Sequence, residues 1–267
     1  MSEQTAPQRN NATPLQKTMV ILGIIALVAA VALAGLSLLA PMGVWLGLWD
    51  FRTGFAILRF ANTWAAWVAV LGIGVGFLLL TAGRSPLLTS ARRLGSWTLA
   101  AAVVVGIAWL IPQTYTPPEG TPPIHDISTD TANPPEFVAV LPLRGTDSNP
   151  VEYGTFGEMT PERQAGMQAE AYPEIQPRYF DATADEVFNR ALQAVEAMGW
   201  ELVDAAPEEG RIEATDTTFW FRFKDDVVIR IREEGDQTRL DARSTSRVGT
   251  SDVGKNAARL RAFFAEL

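Results

Sequence analysis

The sequence predicts a region of three transmembrane α-helices followed by an α+β two-layer sandwich with an antiparallel sheet and two main helices. Three observations predict it. Three apolar runs, each close to the length a bilayer core demands, lie within residues 1–111. A proline-rich stretch then separates them from the rest of the chain. From residue 180 onward the hydrophobic spacing changes from helical to alternating and back to helical, the order helix, strands, helix.

Charge divides the chain at the same place. Residues 1–111 carry seven Lys/Arg and two acids; residues 112–267 carry 15 basic and 28 acidic residues, within a total net charge of −8. A basic, apolar first part and an acidic second part suit two different surroundings. An acidic domain argues against nucleic acid as a partner, because phosphate contacts require a positive surface. The sequence has no cysteine, which removes disulfides, thiolate metal sites and thiol catalysis together.

The first span is read at 19–40, "MVILGIIALVAAVALAGLSLLA", the second at 62–81 and the third at 94–111. Tryptophans at 45, 49, 64, 67, 97 and 109 fall where interfacial belts are expected. The first run is long for a cleaved signal peptide, and Pro41 follows the small residue Ala40, so an uncleaved anchor is expected. The segment 43–60, "GVWLGLWDFRTGFAILRF", is polar and aromatic enough to lie in the outer interface. Gly72 and Gly76 stand four apart, a spacing that permits close helix packing, in a dimer or by chance. Lys17 and Arg9 before the first span, with Arg84, Arg92 and Arg93 between the second and third, outnumber Arg52 and Arg59 on the other side. The positive-inside rule then makes residues 1–18 a cytoplasmic tail and places the acidic domain outside, in the periplasm of a bacterium whose inner membrane holds the spans.

Residues 112–160 contain nine prolines, so an extended strap is expected there, with Ile124, Ile127, Phe137, Val138 and Val140 packing along the domain. The folded domain is read at 161–267. A short helix is expected near 160–169. A longer one follows over "DATADEVFNRALQAVEAMGW", capped by Asp181 or Thr183, with Val187, Phe188, Ala191, Leu192, Val195 and Met198 inward and Gly199 at its end. About four strands come next: "WELVDA", "GRIEATDTT" running on into "FWFRF", "DDVVIRIRE" and "TRLDARSTSRV". The last helix, "SDVGKNAARLRAFFAEL", is read with Ser251 as cap, Asp252 at its positive end, and Leu260, Phe263 and Phe264 buried.

The polar face of this sheet is unusual. Residues 211–247 hold eight basic and eight acidic side chains. They fit a basic groove for a carboxylate, phosphate or lipid headgroup with Trp220 as an apolar platform; they also fit a solvated face of cross-strand ion pairs, which the equal numbers favour. In "RSTSRVGTSDVGKNAARLRAFF", Arg243 and Arg247 share one strand face, Ser244 and Ser246 the other, and a helix N-terminus follows with Asp252, Asn256 and Arg259. Free backbone donors there can hold an anion, and the same residues can simply brace a strand-to-helix junction. His125, the single histidine, precedes Asp126 and Asp130; one His and two carboxylates make a thin set for metal or acid–base work.

"IHDISTDTANPPEF", "YPEI", "EATDTTFWFRFKDDVVIRI" and "DARSTSRVGTSDVGKNAARLRAFF" resemble the hallmark segments of the uncharacterised family called domain of unknown function 1499, over roughly residues 122–267. The spans resemble those of its membrane-anchored bacterial members. The resemblance implies a fold unit and no known reaction. It implies that His125, Asp126, Arg243, Ser244, Ser246, Arg247, Asp252, Asn256 and Arg259 sit in family motifs.

The expectation is therefore a membrane protein without enzymatic activity, cofactor or metal. Its domain would bind a partner or an anionic or lipid-like ligand through Trp220, Arg243, Ser244, Ser246, Arg247, Asp252, Asn256 and Arg259, with His125 and Asp126 as secondary candidates. Two alternatives stand beside it: a hydrolase or isomerase using Arg243, Arg247 and His125, and an accessory subunit of a membrane complex.

Overall fold

The computed structural model describes residues 13–81, 86–114, 117 and 119–267. The chain forms two compact units, Met1–Tyr115 and Thr116–Leu267. Most of the predicted cytoplasmic tail, with Arg9, lies outside the described residues, as does Arg84.

Among its described residues the first unit holds three helices: α1 (Pro14–Trp45), α2 (Phe51–Thr81) and α3 (Pro86–Gln113). All three are long and apolar enough to cross a membrane. Each extends beyond the run read from hydropathy. Thr13 starts α1 with a capping box, its backbone N–H reaching Gln16 Oε1 at 2.9 Å, and Pro14 occupies the first turn. The segment 43–60 does not form one element of its own. It divides among the end of α1, a turn at 46–50 where Gly47 has φ 66°, and the first turns of α2. Asp50 begins α2 by accepting the Thr53 N–H at 2.8 Å. Composition marks where hydrocarbon begins; caps mark where helices begin.

Small residues form the seam of this unit. Ala61, Ala65, Ala69, Gly72 and Gly76 of α2 are buried. A methyl placed on Gly76 would meet the Gly95 carbonyl of α3 at 3.0 Å, and one on Gly95 would meet the Gly76 carbonyl at 2.8 Å. The Gly72/Gly76 pair thus packs α2 on α3 within one chain. Thr98 adds a hydroxyl bond to the Gly23 carbonyl of α1 at 3.2 Å. Outward-facing side chains such as Ile25, Val28, Val31, Val70 and Leu71 are exposed, as hydrocarbon contact requires. Gly95→Leu, in the full chain in detergent, is expected to lower the thermal midpoint by an overpacking cost of about 1–3 kcal/mol or more; an unchanged midpoint would contradict the close approach.

The second unit is an α+β domain with, among the described residues, six antiparallel strands. These are β1 (Asp126–Ser128), β2 (Arg178–Phe180), β3 (Glu201–Ala206), β4 (Arg211–Thr217), β5 (Lys224–Glu234) and β6 (Gln237–Ser246). Their order is β1-β6-β5-β4-β3, with β2 also on the free side of β6. The short β1 and β2 lie beyond the four strands read from alternation; three residues carry too little pattern to announce a strand. Three helices accompany the sheet: α4 (Pro161–Ala171), α5 (Ala184–Ala197) and α6 (Lys255–Ala265). Thr183 starts α5 with a capping box to Glu186, and Gly199 follows its end at φ 69°. The core joins Val187, Ala191 and Val195 of α5 and Leu260 and Phe263 of α6 to Ile212, Val227, Ile229, Leu240 and Ala242 of the sheet.

Two local expectations are corrected. "FWFRF" is not strand. The ladder closes at Thr217 opposite Lys224, leaving 218–223 as the connection between β4 and β5. Thr218 closes that loop, its N–H bonding the Phe223 carbonyl at 2.8 Å and its hydroxyl accepting the Phe223 N–H at 2.9 Å. Arg222 takes φ 55° there. Five bulky residues alternate by chance at strand spacing, with no Gly or Pro to betray a turn. Helix α6 begins at Lys255, four residues past Ser251, and Asp252 does the capping.

Candidate functional site

Alternation along β5 and β6 sends two sets of polar residues to opposite faces of the sheet. Asp126, Thr215, Asp226, Arg243 and Thr245 share one face; Asp216, Asp225, Ser244 and Ser246 share the other, with α6. The first face is neither an open groove nor a solvated array. The segment 129–151 lies over it, where Phe137 and Val140 are buried against Val228.

Arg243 is 3% exposed. Its Nε and Nη2 donate to the two carboxylate oxygens of Asp126 at 3.0 and 2.6 Å, and Nη1 donates to the Pro135 carbonyl at 3.0 Å. Nη2 also reaches the Val151 carbonyl. The guanidinium lies over the Phe137 and Tyr153 rings, 5.1 and 5.7 Å from their centres. Arg247 repeats the arrangement two pleat repeats further on. It grips Asp226 through Nε and Nη2 at 3.0 and 2.7 Å and donates to the Leu143 carbonyl at 2.7 Å. Arg144, from the covering segment, meets the same Asp226 at 2.5 Å. Glu213, fully buried, receives three successive backbone N–H groups, Val138, Ala139 and Val140, at 2.8, 3.0 and 2.9 Å, with Arg211 beside it. At the far end Asp241 and Asp130 are shared by Arg230 and Arg239.

On the other face Asn256, 0% exposed, sits at the centre. Its carbonyl oxygen accepts from Ser244 Oγ at 2.7 Å and from Arg259 at 2.5 Å. Its amide donates to the His125 carbonyl at 2.7 Å and to Ser246 Oγ at 3.0 Å. Asp252 receives the Asn256 and Gly254 N–H groups, each at 2.8 Å, filling the helix N-terminus that an anion would otherwise use. Burial nevertheless pushes its carboxyl above the usual aspartate range. Arg259 pairs with Asp225 at 2.6 Å and Asp216 at 2.8 Å.

The structure therefore brings the sequence candidates into two groups. Arg243, Arg247 and Asp126 lie under the covering segment 129–151; Ser244, Ser246, Asp252, Asn256 and Arg259 lie between β6 and α6. Trp220 lies on the 218–223 loop, 43% exposed. His125 is 4% exposed, its ring edge-on to Phe156 with centres 5.0 Å apart. Its backbone carbonyl, receiving Ser246 N–H and Asn256, ties the strap to the last strand.

Apart from Asp126, sequence reasoning did not single out the counter-ions as site residues. Asp225 and Asp226 are adjacent, so alternation alone sends one to each face and one to each arginine group; that doublet was a usable signal. Gln164 and Gln168 were also unnoticed. One helical turn apart on α4, both buried, they bond the outer edge of β1: the Gln168 amide joins Ser128 N–H and carbonyl at 3.0 and 2.6 Å, and Gln164 donates to the Asp126 carbonyl at 3.0 Å. Two side-chain amides thus replace a neighbouring strand.

Burial holds the His125 imidazole below its ordinary value near 6.5. The unfolded chain then takes up the proton first. The contribution of His125 to stability is complete above about pH 6.5 and is lost as pH falls through the folded-state value. Urea midpoints measured at pH 7.5 and 5.5 should differ less in His125→Gln than in the parent; equal differences would show that His125 does not carry this limb.

Residues 126–267, from the first residue of β1 to the end of the chain, match the family model described as "Protein of unknown function (DUF1499)". No curated protein matches the chain.

Proposed function

The chain belongs to the DUF1499 family of unknown function, and from that premise we propose that it is a non-enzymatic, membrane-anchored binding protein. Its N-terminus is cytoplasmic and its domain faces the far side of a bacterial inner membrane. The domain engages a partner or an anionic or lipid-like ligand.

One observation carries this reading. The guanidinium groups of Arg243, Arg247 and Arg259 are matched to buried carboxylates of the domain itself. An arginine that must receive a substrate needs donors to give, and a paired, covered guanidinium has already given them. His125 is buried beside Phe156. In this reading the motif residues, Ser244, Ser246, Asp252 and Asn256 included, hold a rigid platform, and Trp220 belongs to the surface that meets the partner.

Two arms test it. Protease added to intact spheroplasts should remove the C-terminal domain and leave the helices; a surviving domain with a clipped N-terminal tail would reverse the orientation. A photo-crosslinking amino acid at position 220 of the full chain in cells should capture a lipid or a protein, and one at Asp236 should capture neither. No adduct from 220 would remove the binding surface.

A further inference from the structure

The 218–223 loop carries four aromatic residues in "FWFRF". Phe219 is 66% and Trp220 43% exposed, and their rings meet edge-on at 5.2 Å. Phe221 and Phe223 are stacked behind them, and Thr218 closes the base. The loop is thus a braced projection with large apolar side chains at its tip. Arg222 and Lys224 are exposed on its descending side.

The apolar surface extends beyond the loop. Arg247 bonds both the Lys224 carbonyl, through its backbone, and the Leu143 carbonyl, through its side chain. That places the 3₁₀ turn Leu141–Leu143 alongside, with Leu141 42% and Leu143 56% exposed. The loop itself presents Arg222 and Lys224, while the neighbouring Asp225 and Asp226 are buried against arginines; the exposed Glu201, opposite Thr215, and Asp147 lie at the same end. The opposite end of the sheet presents Glu208, Glu209, Glu233, Glu234 and Asp236, all exposed.

Chain connectivity adds an independent constraint. Asp126 opens β1 opposite Thr245, and Asp225 lies opposite Ser246, so the chain enters the domain at the sheet end that bears the loop.

We propose that this loop docks into the headgroup–acyl boundary of an anionic bilayer, the one that the chain's own helices enter. Phe219 and Trp220 lead, Leu141 and Leu143 widen the contact, and Arg222 and Lys224 meet lipid phosphates. Aromatic rings with basic residues just behind them are the chemistry of that boundary. The acidic opposite end is repelled by the same surface, which fixes the domain's attitude. The proposal rests on the binding reading above and names its occupant as lipid.

The absence of cysteine permits a direct test. Full-length Phe219→Cys and Asp236→Cys are labelled with an environment-sensitive nitrobenzoxadiazole and reconstituted into phosphatidylcholine–phosphatidylglycerol vesicles. At 219 the emission should shift to the blue and be quenched by lipids with doxyl groups on the acyl chain; at 236 it should do neither. Water-like emission at 219, or a blue shift that doxyl lipids leave unquenched, overturns the proposal. In phosphatidylcholine alone the quenching at 219 should weaken; full retention overturns the role of Arg222 and Lys224. A loop that reads water in these vesicles while position 220 captures a protein in cells would defeat lipid docking and leave the binding reading standing.

Discussion

Arg243→Ala is expected to cost about 3–5 kcal/mol, the range for removing one partner of a buried pair. Asp126, 2% exposed, would be left as an uncompensated carboxylate, and the Pro135 and Val151 carbonyls would lose a donor. A domain has only about 5–15 kcal/mol to lose. Pulse proteolysis of the full chain in urea should show the C-terminal domain unfolding at much lower denaturant, or already open without it. Arg243→Lys should recover only part, because a single ammonium cannot span two carboxylate oxygens and two carbonyls in fixed directions. Combining Arg243→Met with Asp126→Leu should cost less than the two single changes together, since no bare charge remains. A midpoint for Arg243→Ala within about 0.5 kcal/mol of the parent, the range of ordinary surface changes, would show that the pair braces nothing.

The second large effect is expected at Glu213→Ala. Three backbone donors of the strap converge on this one buried carboxylate. Each donor left buried without an acceptor costs about 1–3 kcal/mol. The cheaper response is for 137–140 to lift into water, which uncovers Val228 and gives up the packing of Phe137 and Val140. The expected result is local opening ahead of global unfolding. Limited proteolysis should cut within 129–151 in the variant under conditions where the parent resists, while the sheet core stays protected. Glu213→Gln should behave similarly, because an amide turns one acceptor into a donor aimed at a backbone N–H. Uniform resistance in both variants would remove Glu213 as the anchor.

The fold was largely legible because its signals are periodic. Val227, Ile229 and Ile231 announced β5, and Val187, Ala191 and Val195 announced α5. Spans showed as long uncharged runs, while their ends did not, because Thr13 and Asp50 act as caps through single side chains. The aromatic stretch 219–223 misled because alternation is necessary for a strand and not sufficient; what ends the ladder is Thr218 bonding Phe223, a contact across the loop. The arginine motif was visible as a set of residues and its role was not. Whether Arg243 faces a ligand or Asp126 depends on a partner 117 positions away in sequence. The equal numbers of acids and bases over 211–247 were the nearest hint, and the pairs seen at Asp225, Asp226 and Asp241 agree with it.

The covering segment 129–151 precedes β2 to β6 in the chain, yet its grips, Arg243 and Arg247, come from the final strand and its margin. During synthesis the lid emerges early and its latches emerge last. Until the closing residues have left the ribosome, the carboxylate of Asp126 lacks the guanidinium of Arg243, and Asp226 has Arg144 without Arg247. Completion is thereby reserved for the whole polypeptide, and a copy broken off before residue 243 cannot lock.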